Sequence, residues 1–251
     1  METQFKNILA IIDRAVENAF TTTTLFEHKN SITIEDKYAF EQWAGKSFGC
    51  IKELISAAYG KRQIAFNPFT ESNSHSDTSL IFSKFDESIK YDISYSFENT
   101  IYGQILIAST DVGICYLVFF NGSEIRAQEL LQKEFPGSAI TKQQSAEQQT
   151  ALESLSGNEN RTVHLHVKGA LGNLQIWEAL TKVPYGKLIS YGTLAKATGN
   201  MAQDIGTAMG DNRIAMLIPC HRVIKSTGEL GQYHWGAKRK RAMIIKEAVV
   251  L

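Results

Sequence analysis

Cysteine is scarce in this chain of 251 residues, which contains only Cys50, Cys115 and Cys220. The three stand far apart, so they form neither the dense disulfide framework of a small secreted protein nor a Cys-x-x-Cys zinc pair. This usage fits a reducing compartment. We therefore expect a cytoplasmic protein with no bound metal.

Long hydrophobic runs are also missing. No apolar stretch approaches the roughly 18 residues needed to cross a bilayer. Residues 1–20 carry acidic side chains and lack the clean apolar segment that is typical of a signal peptide. We therefore expect no membrane partner. The length allows one large domain or two to three small ones, each with its own hydrophobic core.

The formal net charge is zero, but the charged residues are unevenly distributed along the chain. Residues 1–167 carry 14 Lys and Arg against 21 Asp and Glu, a balance of −7, whereas residues 168–251 carry 12 against 5, a balance of +7. The basic part includes "AKRKRA" at 237–242. Such segregation is typical of a surface that binds a polyanion, but a solvated basic helix explains it equally well.

Helical periodicity dominates residues 1–66. Apolar residues recur every 3.6 positions over 4–19, and shorter helices are predicted over 35–43 and 48–62. A polar stretch rich in turn formers follows, and we place a linker at 67–83.

Alternating apolar residues then indicate a small α/β module over 84–167. The predicted elements are a strand at 91–99, two strands within 103–122 that meet at 110–113, a helix over 123–135 and a last strand over 161–169. The polar stretch at 141–160 predicts no element. His164 and His166 share one face of the last strand, where we expect exposed histidines rather than metal ligands.

From residue 172 onward the pattern is helical. One helix is predicted over 173–183, before Pro184. A second, "SYGTLAKATG" at 190–199, begins at a capping Ser190 and ends at Gly199. A third covers 203–212, and two short helices joined by a tight turn indicate a helix-turn-helix unit. A basic helix over 237–249 closes this part of the chain.

The stretch "LIPCHRVIKS" at 217–226 places a histidine directly after Cys220. A cysteine becomes a strong nucleophile as a thiolate, which a nearby histidine can generate. Glu247, the one acidic residue of the closing helix, could orient His221 if that helix packs on this loop. A buried packing cysteine remains the alternative from spacing alone.

Four stretches carry a resemblance to the O6-alkylguanine-DNA alkyltransferases, the suicide DNA repair proteins. They are "IPCHRV" at 218–223, "WEALTKVPYGKLISYGTLAKATG" at 177–199, "GTAMGDN" at 206–212 and "QYHWGAKRKRAMIIKEA" at 232–248. The resemblance covers about 84–251. It implies an α+β multidomain fold: an N-terminal helical segment, a small ribonuclease H-like α/β module at 84–167 and a C-terminal, helical, winged helix-turn-helix-like catalytic domain at 168–251.

The resemblance also implies roles for particular residues. Cys220 takes the alkyl group from O6 of guanine, and from O4 of thymine, and keeps it as a thioether. His221 removes the thiol proton through a water, and Glu247 orients His221. Asn212 holds the active-site turn. No cofactor is implied, because the substrate carries its own electrophile.

Substrate and DNA contacts follow from the same resemblance. The flipped guanine is expected to meet Tyr191, Val223 and the backbone of Tyr233 and His234. The implied partner is double-stranded DNA containing O6-alkylguanine, bound by a monomer. The DNA contacts are expected at four residues, Ala202, Gln203, Gly206 and Ser226.

Two features depart from the family pattern. Gln203 occupies the position where family members carry an arginine that fills the gap left by the flipped base, and Asp204 follows it. The turn between Gly199 and Gly206 is two residues shorter than usual. These departures support an alternative, an alkylated-DNA sensor or transcriptional regulator with weak or no transfer. A cysteine hydrolase is disfavoured, since no oxyanion hole is evident and the helix-turn-helix would have no role.

Residues 1–66 more weakly resemble the end of an AraC-type DNA-binding domain, through "FEQWAGKSFGCIKELISAAYGKRQIA" at 40–65. The stretch is too short for two helix-turn-helix units. We expect a degenerate remnant that packs on the repair domain, with active DNA binding as the alternative.

Overall fold

The computed structural model describes residues 78–156, 161–226 and 230–249. The helices predicted before residue 66, and the regulator-like segment that contains them, lie outside these ranges. The described part is a mixed α/β structure with one large sheet and several helices, which agrees with the coarse fold class expected from the sequence.

A six-stranded mixed sheet forms the first half, in the order β1-β6-β4-β3-β2-β5. Its strands are β1 (Ser79–Lys84), β2 (Ile93–Thr100), β3 (Gly103–Ser109), β4 (Ile114–Phe119), β5 (Ile140–Lys142) and β6 (Thr162–Val167). The antiparallel pairs β2–β3 and β3–β4 come from consecutive strands, whereas β6 and β5 pair in parallel with their neighbours. All of β4 is buried, because helices and loops cover both faces of the sheet there.

All four predicted strands are confirmed, as β2, β3, β4 and β6, and so is the turn between β3 and β4. Gly113 follows that turn, and a Cβ atom there would collide with the backbone of His164 on β6. Only glycine therefore allows β4 and β6 to approach so closely at this point. The connection is short because Thr110 closes it by accepting the Val112 amide at its hydroxyl.

Two helices flank the sheet, and one was not predicted. The first, α1 (Glu124–Glu134), begins at Ser123 as expected. The second, α2 (Ala146–Leu155), falls in the polar stretch that predicted no element. Its buried residues are Gln148 and Ala151, so it lacks the apolar stripe on which the prediction depends. Its signal is the cap, since the Ser145 hydroxyl accepts the Gln148 amide at 3.2 Å.

Two further expectations for this half are wrong. Residues 79–83, placed in the linker, form most of β1, which pairs with β6 along its whole length. His166 is buried rather than exposed, although His164 is exposed as predicted. The end of β6 lies beneath Phe85 and Tyr91, whose rings pack 4.7 Å from that of His166. Thr110 satisfies the buried imidazole at 2.8 Å.

The second half is helical, as the periodicity predicts. Its helices are α3 (Leu171–Thr181), α4 (Tyr191–Thr198), α5 (Ala202–Asp211) and α6 (Ala237–Val249), and the short strands β7 (Ile189–Ser190) and β8 (Val223–Ile224) pair in parallel. The Ser190 hydroxyl caps α4 by accepting the Thr193 amide at 3.0 Å. Gly199 ends α4 with a φ of 69°, a left-handed conformation that glycine adopts easily.

The pair α4 and α5 forms the predicted helix-turn-helix unit, with residues 199–201 as its turn. Helix α3 supports it from behind, because the Trp177 indole donates to the Ala208 carbonyl at 2.8 Å. Ile205, Ala208 and Met209 form the buried face of α5. The opposite face of α5 is therefore presented to solvent.

The sheet and the helical half share one hydrophobic core. Leu117 of β4 joins the loop after α5 through two backbone bonds, to the Arg213 carbonyl and from the Ala215 amide. Arg239 of α6 makes a second connection. Its guanidinium donates to the Tyr102 carbonyl at 2.9 Å and to Asn121 Oδ1 at 2.7 Å, and it lies over the Phe119 ring.

We expect Arg239→Ala to lower the free energy of unfolding by about 2–4 kcal/mol, because buried carbonyl and amide acceptors lose a charged donor. Urea unfolding followed by circular dichroism measures the change. Arg241→Ala is the matched control, since Arg241 is exposed two residues along the same helix, and surface changes of this kind stay within about 0.5 kcal/mol. Equal losses for the two variants would contradict the assigned role of Arg239.

Candidate active site

Cys220 opens a single 3-10 turn, Cys220–Arg222, and its side chain is 3% exposed. Asn212, the residue that ends α5, holds this turn in place. Its Nδ2 donates to the Cys220 sulfur at 3.1 Å and to the Ile218 carbonyl at 3.3 Å, while its Oδ1 accepts the Ile214 amide at 2.8 Å. The end of the helix-turn-helix unit thus sets the position of the sulfur.

Helix α6 packs back on this turn and brings Glu247 to His221. The His221 Nε2 atom lies 2.8 Å from Glu247 Oε1. Arg222 donates to both oxygens of the same carboxylate through Nε at 3.2 and 3.0 Å, and the Gly186 amide donates to Oε2 at 3.0 Å. Glu247 is therefore fixed from three sides, and it fixes the imidazole in turn.

The ionisation states of Glu247 and His221 depend on each other and on Arg222. Burial alone would raise the pKa of the Glu247 carboxyl, but Arg222 and His221 lower it to about 2. Burial lowers the pKa of His221, and Glu247 offsets this in part. At neutral pH the carboxylate is charged and the imidazole is neutral, so Nε2 carries the hydrogen that it donates to Glu247.

The second nitrogen of His221 is consequently a free base. Nδ1 is buried, and among the residues that the structure describes it has no hydrogen-bond partner. Buried imidazole nitrogens are rarely left without a partner, and such exceptions call for an explanation. An unprotonated Nδ1 next in sequence to Cys220 is an acceptor poised for a proton.

The resting sulfur is a thiol. Burial raises the pKa of Cys220 to about 11, although Asn212, Lys240 and Tyr233 act in the opposite direction. A thiol is a poor nucleophile, so the site needs a base to activate the sulfur. The arrangement therefore fits a cysteine that reacts when its substrate is in place.

Lys240 is a site residue that the sequence pattern did not reveal. It is fully buried, and its ammonium donates to the Val223 carbonyl at 2.6 Å and to the Gln232 carbonyl at 3.4 Å. Burial lowers its pKa to about 8, while the negative charge of the Cys220 thiolate opposes that shift. Lys240 and Glu247 are seven residues apart, two turns of one helix, and this spacing was the available signal.

Two cations of the basic helix fit neither expectation. Lys240 and Arg239 are internal, and Arg222 is half-buried against Glu247. These cations belong to neither a solvated face nor a polyanion surface. The burial of these cations could not be predicted from the sequence, because "KRKR" is typical of an exposed basic patch. Buried lysine and arginine need hydrogen-bond acceptors that only the folded chain supplies.

The residues predicted to bind the flipped base differ in their burial. Val223 is fully buried beside the turn, and Tyr191 is half-buried at the start of α4, near Gly231. Burial raises the pKa of Tyr191, and so does the charge of Cys220. Tyr233 is buried, with its hydroxyl 3.7 Å from the Met243 sulfur, whereas the His234 side chain is exposed. The charge of Cys220 acts on Tyr191 and Tyr233, so these two residues lie near the sulfur.

The four residues predicted to contact DNA are all exposed. Ala202, Gln203 and Gly206 lie on the outer face of α5, and Ser226 follows β8. Asp204, which follows Gln203, has a structural role. Its carboxylate accepts the Met201 amide at 2.9 Å and caps α5.

Acid should weaken the fold through Glu247. Its folded pKa of about 2 lies below the unfolded value of about 4.3, so its contribution, about 3 kcal/mol, is complete above pH 4.3 and is lost as pH falls through 2. We expect the free energy of unfolding to fall over this window, and to fall less steeply in Glu247→Gln. Urea unfolding at stepped pH measures both slopes. Identical slopes would exclude this linkage.

Comparison with known proteins agrees with this geometry. Residues 173–249 match the family described as the DNA-binding domain of 6-O-methylguanine DNA methyltransferase. The methylated-DNA–protein-cysteine methyltransferase of Methanosarcina acetivorans is 32% identical over 153 residues, which cover 59% of this chain and 93% of that protein. The bifunctional transcriptional activator/DNA repair enzyme Ada of Escherichia coli is 30% identical over 162 residues, 62% of this chain and 46% of Ada.

A solved structure shows the same fold. The crystal structure of Mycobacterium tuberculosis OGT in complex with DNA superposes with a TM-score of 0.51 at 26% identity, covering 62% of this chain and 92% of that one. Helix α6 and the other described helices are too short or too polar to span a bilayer. The chain spans about half the length of curated relatives such as Ada.

Fold and site together define a class of protein in which a buried cysteine thiol, held by Asn212, stands beside a helix-turn-helix unit and next to a histidine held by Glu247. The chain belongs to the methylated-DNA–protein-cysteine methyltransferase family.

Proposed function

We propose that this protein repairs double-stranded DNA by moving an alkyl group, typically methyl, from O6 of guanine or O4 of thymine to Cys220, once per molecule. One observation carries the proposal. Asn212 holds the Cys220 sulfur while Glu247 holds His221, and the same helix-turn-helix unit that would meet DNA ends at Asn212. Relatives of this family are named for that transfer.

The first step is removal of the thiol proton. His221 donates from Nε2 to Glu247, which leaves the lone pair of Nδ1 to accept the proton of Cys220 through a water. Glu247 remains ionised beside Arg222 and stabilises the imidazolium that forms. The buried Lys240 ammonium lowers the cost of the thiolate.

The second step is an in-line displacement at the alkyl carbon. A sulfur lone pair forms the S–C bond as the C–O6 bond breaks, and the bonding electrons pass to the guanine ring. The guanine takes a proton from the Tyr191 hydroxyl, and Tyr191 regains one from His221 through solvent. The products are a thioether at Cys220 and an intact guanine, so no cofactor is consumed.

The target base must leave the duplex to reach a buried sulfur, at a cost of a few kcal/mol. Tyr191, Val223 and the backbone of Tyr233 and His234 would receive it beside Cys220. The exposed face of α5, with Ala202, Gln203 and Gly206, would lie against the DNA, and Ser226 would contact it next to the turn.

Domain layout is part of the same proposal. The sheet module, extended to include β1, would support the catalytic part at 168–251. Residues 67–78 would connect it to a remnant of a regulator at 1–66. We propose a monomer in the cytoplasm, since one chain supplies the whole constellation.

Mass spectrometry of the peptide that contains Cys220 tests the transfer. The full chain is incubated with a duplex carrying O6-methylguanine, and we expect that peptide to gain one methyl group per molecule. The same duplex without the methyl group is the control. Tight binding to the methylated duplex with an unmodified Cys220 would instead establish an alkylated-DNA sensor.

A further inference from the structure

Met201 stands at the tip of the helix-turn-helix unit, immediately before α5. The residue is 68% exposed, so its side chain is available for contact with a partner. The backbone beneath it is held firmly. Its amide donates to Asp204 Oδ2 at 2.9 Å, and its carbonyl accepts the amides of Asp204 and Ile205 at 3.1 and 3.3 Å. A backbone held by hydrogen bonds therefore presents a flexible apolar side chain to solvent.

The exposed face of α5 that follows Met201 carries several residues with little or no side chain. Gly206 and Gly210 lie on it, and a Cβ atom at either position would meet nothing within 4 Å. Ala202 adds one methyl group. Among the described residues of α5 and its turn, Met201 is the single long apolar side chain that is exposed. A helix whose exposed face carries small residues can lie close to a duplex, and an apolar side chain at its end would then be near the base stack.

We propose that Met201 enters the base stack and fills the space that the flipped nucleotide leaves. This inference rests on the proposed function, which requires a base outside the helix. Apolar side chains, methionine included, are inserted between base steps by proteins that distort DNA, because they replace lost stacking contacts. Gln203 lies two positions along the helix, and residues so spaced point in different directions. Asp204 accepts the Met201 amide and so fixes the backbone at this tip.

Transfer rates on duplex DNA test the assignment. Met201→Ala is expected to react about tenfold more slowly with a duplex carrying O6-methylguanine, equivalent to about 1.4 kcal/mol, as expected when part of the replaced stacking is lost. Met201→Leu should restore most of the rate, since it is also long and apolar. Both variants should react with free O6-methylguanine at the original rate, because a free base needs no flipping. Leu171→Ala is the matched control, since Leu171 is 65% exposed at the start of α3 and should leave every rate unchanged.

Base flipping can also be measured in a variant that does not transfer the methyl group. In a Cys220→Ser background, 2-aminopurine beside the lesion should brighten on binding, and adding Met201→Ala should reduce that rise. An unchanged duplex rate in Met201→Ala, or a loss in Gln203→Ala alone, would overturn the assignment. If the original protein transfers methyl to neither substrate, the proposed function fails, and the fluorescence comparison still decides the role of Met201.

Discussion

Cys220→Ser and Cys220→Ala should lose methyl transfer completely while still binding duplex DNA. The reason is chemical, since the displaced methyl needs a sulfur acceptor and a serine hydroxyl at this position has too high a pKa to be ionised by His221. The serine variant keeps an acceptor for the Asn212 amide, so the turn should retain its shape. Transfer of radioactive methyl from DNA to protein measures the loss, and a gel-shift titration measures binding.

Cys115 supplies the internal control for that experiment. It is buried in β4, burial raises the pKa of its thiol strongly, and its sulfur donates to the Ala108 carbonyl at 3.6 Å. Cys115→Ala should therefore transfer methyl as well as the original protein. Methyl recovered on Cys115 or Cys50 in the Cys220 variants would show that the acceptor has been misassigned.

His221→Gln should slow transfer by about 10²–10⁴, the usual contribution of a positioned general base. Glutamine can still hydrogen-bond Glu247 but cannot take a proton from Cys220. In the original protein the rate should rise with pH through the lowered pKa of His221, below its usual value of about 6.5, and then level off. Single-turnover kinetics across the pH range measure both effects.

The pH profile of the variant separates catalysis from structure. Without a base, the rate should follow ionisation of Cys220 itself, and should rise about tenfold per pH unit towards a pKa of about 11. A variant that had merely lost its shape would be slow at every pH. A profile that still levels off near neutrality would mean that another group removes the proton.

Local rules explain what could be predicted from the chain alone. The cap at Ser190, the stop at Gly199 and the two strands that meet at 110–113 depend on neighbouring residues, and each is confirmed. The motif around Cys220 led to His221 and Glu247, and the structure places those two 2.8 Å apart.

Residues whose role depends on distant partners could not be predicted in the same way. Arg239 meets acceptors more than 100 positions earlier in the chain, and Lys240 meets the carbonyls of Val223 in β8 and of Gln232. His166 is covered by rings from a loop that precedes it by some 75 residues. Charge and periodicity describe a residue's own element, whereas these side chains are defined by what packs on that element.

Helix α6 fixes the distance between two charged groups that lie near Cys220. Lys240 and Glu247 are seven residues apart on it, about 10.5 Å along its axis. The ammonium donates to the Val223 carbonyl, and the carboxylate lies 2.8 Å from His221 Nε2. Deleting one residue between them would rotate one end by about 100° relative to the other. The ammonium and the carboxylate would then no longer serve the same sulfur. The length of this segment, as much as its composition, is thus part of the catalytic apparatus.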